Sequence, residues 1–172
     1  IDVITITLIY VIYSSSWNLL AYSGQASLGH AAFLGIGGFA SALLYRYLGI
    51  SPWFGMFLGS AFASGIGFLV GLTCVRLREW FLAMVTFGFA VIAQTITSAL
   101  DRYIGGILGF HPQRLLGSYI QFYYLILVLT VASVFVIYLI MKSKIGLAFN
   151  AIRENEVEAK MMGVNTTKYK LL

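Results

Sequence analysis

Gly24-Gln25-Ala26-Ser27-Leu28-Gly29-His30-Ala31-Ala32-Phe33-Leu34-Gly35-Ile36-Gly37-Gly38 lies inside a run, residues 3–45, that contains no Asp, Glu, Lys or Arg. As one straight helix that run would be about 65 Å long, roughly twice the ~30 Å hydrocarbon core of a bilayer. It therefore contains two crossings or a broken one. Tyr22-Ser23-Gly24-Gln25 supplies the small and polar residues that interrupt an apolar pattern. The break predicts spans over 3–22 and 27–45, or else one span followed by a re-entrant piece. The quoted stretch is apolar enough for lipid, is built mostly of small residues, and carries an imidazole, His30, in otherwise uncharged surroundings.

The same reading extends outward. Of 172 residues, 60% are hydrophobic and only 10% charged, where a soluble domain would carry charge at roughly a quarter of its positions. The chain is expected to be an all-α, polytopic membrane helix bundle. Further charge-free stretches predict spans over 52–75, 80–100 and 119–141, about five in all. Pro52 suits a first helical turn, where its missing N–H costs nothing. Along the third span Gly55, Gly59, Ala63, Gly67 and Gly71 recur every four residues, a spacing that lets two helix backbones approach closely in lipid. Four residues slightly exceed one turn, so the stripe winds and points to a crossing partner. The fourth span holds Thr86, Gln94, Thr95, Thr97 and Ser98, which serve either as interhelical bonds or as the lining of a pathway. Trp53, Trp80, Tyr119, Tyr123 and Tyr124 fall near span ends, where aromatic rings favour the membrane interface.

Charge sets the orientation. Lys142, Lys144, Arg153, Lys160, Lys168 and Lys170 all fall in the segment 142–172, which the positive-inside rule assigns to the cytoplasm. Counting spans back from it puts Arg76 and Arg78 inside and Arg46, Arg102 and Arg114 outside. Eight of the eleven basic residues are then internal. The net charge of +5 follows from topology, and no nucleic-acid partner is expected. No basic n-region precedes Val3, which argues against a signal peptide, and we read the chain as part of a longer protein. Within the tail, 155–162 reads as a short helix, Gly163 as its left-handed stop, and Asn165-Thr166-Thr167 as the cap of a following helix. The product is a helix–Gly–helix elbow against the inner membrane face.

No enzyme signature appears: no phosphate-cradling loop, no His pair at metal-binding spacing and no close carboxylate pair within the spans. No cofactor or metal is expected. Gly105-Gly106-Ile107-Leu108-Gly109 reads as a flexible loop, and the single Cys74 cannot form an internal disulfide. His30 is either a functional residue, because a polar group in lipid is costly, or one that lies near the membrane surface or bonds a neighbouring helix for structure. Gln25 and Ser27 carry the same two readings, since both could satisfy free backbone groups at the break. A broken helix also exposes N–H groups of partial positive character that suit a substrate carboxylate. Glu154, Glu156 and Glu158 form either a solvated helix face or a docking surface.

The stretch from Ser23 to Gly37 resembles the hallmark segment of the M-type permease subunits of branched-chain amino-acid ABC transporters. So do Leu77-Arg78 followed by Ala83-Met84-Val85-Thr86-Phe87-Gly88-Phe89-Ala90. So do Ile145-Gly146, Ala151-Ile152-Arg153-Glu154-Asn155-Glu156, Met162-Gly163-Val164-Asn165 and Tyr169-Lys170-Leu171. These motifs keep the family's order and cover nearly the whole chain. The resemblance implies a fold of the ABC importer permease type, with 1–172 part of a single transmembrane domain. Within it, 142–172 would be the cytoplasmic coupling loop and the start of the next span. It further implies a multi-pass protein of the bacterial inner membrane that imports leucine, isoleucine or valine by alternating access. The implied partners are a second permease subunit, two ATP-binding subunits, a periplasmic substrate-binding protein and the amino-acid cargo. Hydrolysis would take place on the ATPases, so this chain is not an enzyme. Of the importer pattern Glu-Ala-Ala-x-x-x-Gly, the stretch Val157-Glu158-Ala159-Lys160-Met161-Met162-Gly163 keeps Ala159 and Gly163, with Val157 in the acid's place. Glu158, Ala159 and Gly163 are the expected ATPase-coupling residues. Gln25, Ser27, His30 and Thr86 are the expected residues of a translocation path or hinge. Glu79 stands where the family has Gly, and Tyr103-Ile104 precede the outer glycines where it has Thr. Similar motifs in urea and short-amide importer permeases make these the alternative within the fold. An ATP-independent secondary transporter or channel is the alternative outside it, and it lacks an acidic residue within the spans to bind sodium or relay protons.

Overall fold

The computed structural model describes residues 2–75, 77, 79–100 and 119–171. Arg76, Arg78, the Glu79 side chain and residues 101–118, with Arg102, His111, Arg114 and the glycines expected to form a flexible loop, lie outside the described residues. Secondary structure among the described residues is helical throughout: α1 (Asp2–Tyr22), α2 (His30–Leu48), α3 (Pro52–Cys74), α4 (Glu79–Ala99), α5 (Tyr119–Lys142), α6 (Lys144–Glu154), α7 (Glu156–Met161) and α8 (Thr166–Leu171). The first five are each long and apolar enough to cross a membrane. Even α2, with 19 residues, is about 28 Å long at ~1.5 Å per residue, so residues 3–45 hold two full-length helices. The chain is an all-α, multi-pass membrane protein.

Span ends agree with the sequence reading to within three residues, and α2 differs most, starting and ending three residues later than expected; its start has a cause. The second helix starts at His30, not at Ser27. The N–H of Leu28 is given to Thr86 Oγ1 at 3.0 Å and that of Gly29 to Ser27 Oγ at 3.3 Å, so side chains hold these donors before the helix begins. At the other end of α2, Gly49 takes a left-handed conformation (φ 61°), and Pro52 opens α3.

The chain divides into two compact units, residues 27–115 and residues 1–26 with 116–172. In the first, α2 and α3 form a tightly apposed antiparallel pair. The partner of the α3 glycine stripe is a matching stripe on α2. Gly55 and Gly59 meet Ser41, Gly59 meets Gly37, Gly37 meets Ala63, and Gly67 meets Phe33. A methyl group on Gly59 would stand 2.5 Å from the Gly37 carbonyl oxygen and 3.0 Å from Ser41 Cβ. Both lie in or next to backbone, which cannot swing away. Phe33 also stacks on Phe89 of α4, ring centroids 5.3 Å apart.

In the other unit α1 packs on α5, and Thr130 marks the crossing: its hydroxyl donates to Ile126 O at 2.7 Å and reaches Leu8 O at 3.5 Å. Hydroxyls along the spans mostly bond the preceding turn of their own helix. Thr7, Ser14, Thr95, Thr97 and Ser98 each donate to the carbonyl four residues back. Thr95, Thr97 and Ser98 therefore satisfy themselves within α4 and do not bridge it to another helix, whereas Thr86 accepts from Leu28.

Replacing Gly59 by Ala should force α2 and α3 apart and cost about 1–3 kcal/mol, the usual range for overpacking. The corresponding change at Gly65, where an added methyl meets nothing within 4 Å, should be tolerated. Thermal unfolding of the two variants in detergent micelles measures the difference.

Candidate functional site

The polar tail folds into three short helices, and sequence periodicity explains each. In α6, Ile145, Ala148, Phe149 and Ile152 recur at helical spacing, and the last three are buried. Ser143 caps it, its Oγ accepting from the Ile145 N–H at 3.1 Å. The expectation of a tail helix beginning only at 155 misses this one. Its signal, a cap followed by an apolar stripe, was outweighed by the charge of the surrounding segment. In α7, Asn155 is the N-cap, with Oδ1 accepting from Val157 and Glu158 N–H. The stop is at Gly163, φ +86°. Its N–H bonds Lys160 O, and Val164 N–H reaches back to Ala159 O, both at 3.0 Å. These paired bonds around a left-handed glycine make a Schellman close. Asn165 then caps α8 through the Lys168 N–H at 3.1 Å. The helix–Gly–helix elbow is formed as the sequence indicated, with α7 running 156–161 rather than 155–162.

Glu156 ties the elbow together. Its carboxylate accepts from Lys170 Nζ at 2.7 Å, Lys160 Nζ at 3.0 Å and Thr166 Oγ1 at 3.1 Å. The Lys170 side chain is only 9% exposed, while that of Glu156 is 37% exposed. The Lys170 hydrogen bond chiefly lowers the carboxyl, with Lys160 and Thr166 adding to it against an opposing effect of partial burial. The group titrates at about 2 in place of the ordinary 4.5.

The residues singled out in the sequence separate into two places. Glu158, Ala159 and Gly163 share the elbow. Glu158 is exposed and accepts from Asn155 Nδ2 at 2.7 Å, whereas Ala159 is 3% exposed and faces inward. Three apolar side chains are exposed beside Glu158 and Lys160: Val157 and Met161 of α7 and its C-cap Met162, at 61%, 82% and 85%. Gln25 belongs with this group, since its Nε2 donates to Lys170 O at 2.8 Å.

Ser27, His30 and Thr86 lie where α2 begins. Ser27 and Thr86 are each 5% exposed, and His30, the first residue of α2, is half-buried. Thr86 Oγ1 donates to Leu82 O at 2.9 Å and accepts from Leu28. The fit is close: a methyl on Gly29 would stand 2.6 Å from Thr86 O. Among the described residues no cluster of three His, Cys, Asp or Glu side chains could hold a metal.

A family model described as the permease component of the branched-chain amino acid transport system matches residues 1–172. Among curated proteins, the chain is 30% identical to the "High-affinity branched-chain amino acid transport system permease protein LivM" of Salmonella typhimurium and 29% identical to the protein of the same name from Escherichia coli. Each match covers 99% of this chain and 48% of the relative, so the chain spans about half the length of these relatives. No solved structure matches it.

Because its folded carboxyl titrates below the unfolded one, Glu156 contributes stability that is fully present above the unfolded value near 4.5 and is lost as pH falls toward about 2. Glu156→Gln should therefore be less stable than the parent at neutral pH. The difference should shrink through that acid window, as followed by thermal unfolding at stepped pH.

Proposed function

The chain belongs to the branched-chain amino acid transport permease family, and from that premise we propose that it is part of the transmembrane permease subunit of an ABC importer for leucine, isoleucine and valine. Residues 1–172 contribute to one permease domain of the bacterial inner membrane, and 142–172 form its cytoplasmic coupling loop with the start of the next span. The partners on this reading are a second permease subunit, two ATP-binding subunits and a periplasmic substrate-binding protein. The ATPases carry the hydrolysis.

One observation carries the reading: a helix of six residues, capped at both ends, leaves Val157, Met161 and the C-cap residue Met162 exposed although it lies outside every apolar span. Isolated helices shorter than ~12 residues are marginal in water, and exposed apolar side chains on one are costly unless a partner covers them. A groove on an ATP-binding subunit would cover them. Glu158 would then meet the polar rim of that groove, Ala159 would seat α7 on its own unit, and Gly163 would hold the turn. Closure of the ATPase pair would displace the elbow and alternate access to the pathway. Ser27 and His30, with Thr86 of α4 beside them, would line that pathway or serve as its hinge, since the Ser27 and Thr86 hydroxyls already take the Gly29 and Leu28 N–H groups ahead of the first turn of α2.

The full-length complex, reconstituted in liposomes, should take up branched-chain amino acids only with ATP and the binding protein; uptake driven by an ion gradient alone would overturn the reading. Met161→Cys should crosslink to an ATP-binding subunit, and labelling of that cysteine from the periplasmic side would contradict the topology. Gly163→Val should weaken coupling, because a left-handed conformation costs a residue with a Cβ about 1–2 kcal/mol.

A further inference from the structure

Gln25 follows the end of α1 by three residues, yet its side chain is engaged by the far end of the chain. Its Nε2 donates to Lys170 O at 2.8 Å, across 145 positions of sequence, and lies 3.3 Å from Ser23 Oγ. Two further contacts fix the same place. A methyl group added at Gly24 would stand 3.6 Å from Arg153 Cα, so the end of α6 lies close against the break. The Arg153 guanidinium carbon stands 5.1 Å from the centre of the Tyr22 ring, within reach of a cation–π attraction. Lys170, whose carbonyl Gln25 holds, sends its ammonium to Glu156 at the first turn of α7. Glu156 also takes Thr166 of α8 and Lys160 of α7.

We propose that Gln25 is a positioning residue for transport, tying the end of α1 to α8 so that a displacement of α7 reaches the helix break without travelling through α5. This rests on the ABC reading of the elbow. The covalent route from α7 to the break runs back through α6, α5 and every residue between them and α2, while the end of α6 meets the break only by the Arg153 packing on Gly24 and Tyr22. The route through side chains is two steps long: the Glu156–Lys170 ion pair, then the Gln25 amide on the Lys170 carbonyl. Both steps are held in part-buried surroundings, where water competes weakly and geometry is retained. The role also fits the residue type. An amide can donate to a backbone carbonyl and to a hydroxyl at once, which lets Gln25 hold Lys170 and its own turn together.

The test uses the full-length complex with Gln25→Met, which keeps the bulk of the side chain and loses the donor. ATP hydrolysis stimulated by the binding protein should be retained, while amino acid taken up per ATP should fall by about fivefold, the order of one net hydrogen bond. Equal losses in hydrolysis and uptake, or no loss in either, would overturn the proposal. A second readout does not depend on the ABC reading. Amide hydrogen exchange over residues 166–171 should rise in Gln25→Met, and exchange over 22–26 should rise in Glu156→Gln. Unchanged exchange over 166–171 in Gln25→Met would remove the tie itself. Uptake by the parent complex without ATP would instead remove the transport reading and leave the exchange result standing.

Discussion

Hydrocarbon offers no hydrogen bonds, so a chain within it must satisfy every backbone N–H and C=O from its own atoms. Most of this structure follows from that demand. Five stretches answer it by forming continuous helices. Their Ser and Thr hydroxyls bend back onto the preceding turn, so few polar atoms in the spans need an outside partner. Residues 23–29 are where the regular solution stops, and side chains take over there: Ser27 and Thr86 receive the N–H groups of Gly29 and Leu28. Among the described residues no buried side-chain nitrogen or oxygen is left without a partner. A break satisfied by specific side chains costs little to hold and can exchange those bonds, whereas a continuous helix has nothing to exchange.

The second constraint is that apolar burial does little to drive helix against helix when the alternative is lipid. Close packing has to supply the attraction. The α2–α3 pair meets this need with residues that keep backbone near backbone: Gly37 and Ser41 on one side, Gly55, Gly59 and Ala63 on the other. The glycines among them would be poor choices for a helix in water. Their use here explains why the segment after the break is so rich in small residues. The stretch is built for an interface, and His30 sits at its edge as the first residue of α2.

How much of this was legible in the sequence depended on the range of the interaction. Charge-free runs are a local property, so the five spans and their ends could be read directly. The α3 stripe was visible because it is periodic, and its partner was not, since nothing in Phe33, Gly37 and Ser41 alone points to Gly67, Gly59 and Gly55. In the elbow, Asn155 and Gly163 act within a few residues, and both ends of α7 could be located to within one residue. The α6 helix was hidden for a different reason. Ile145, Ala148, Phe149 and Ile152 are a short apolar stripe in a segment whose lysines dominated its reading. Gln25 is the limiting case: a polar residue at a break suggests a local bond or a substrate, and its partner is 145 residues away.

The elbow shows how a segment too short to be stable alone acquires a fixed shape. Six residues cannot repay the entropy of nucleating a helix. The Asn155 cap and the Schellman close at Gly163 satisfy the donors at one end of α7 and the carbonyls at the other, but caps do not set its position. That comes from Ala159, buried beneath it, and from Glu156, whose carboxylate joins α7 to α8 through Lys170 and Thr166. Lys170 is nearly covered, so separating it from Glu156 would leave a charge short of both partner and water, a penalty larger than the net value of the pair. The pair therefore acts less as a source of stability than as a bar to alternative arrangements. A force applied to the exposed face of α7 cannot easily tilt that helix on its own; it moves α8 as well, and with α8 the backbone carbonyl that Gln25 holds.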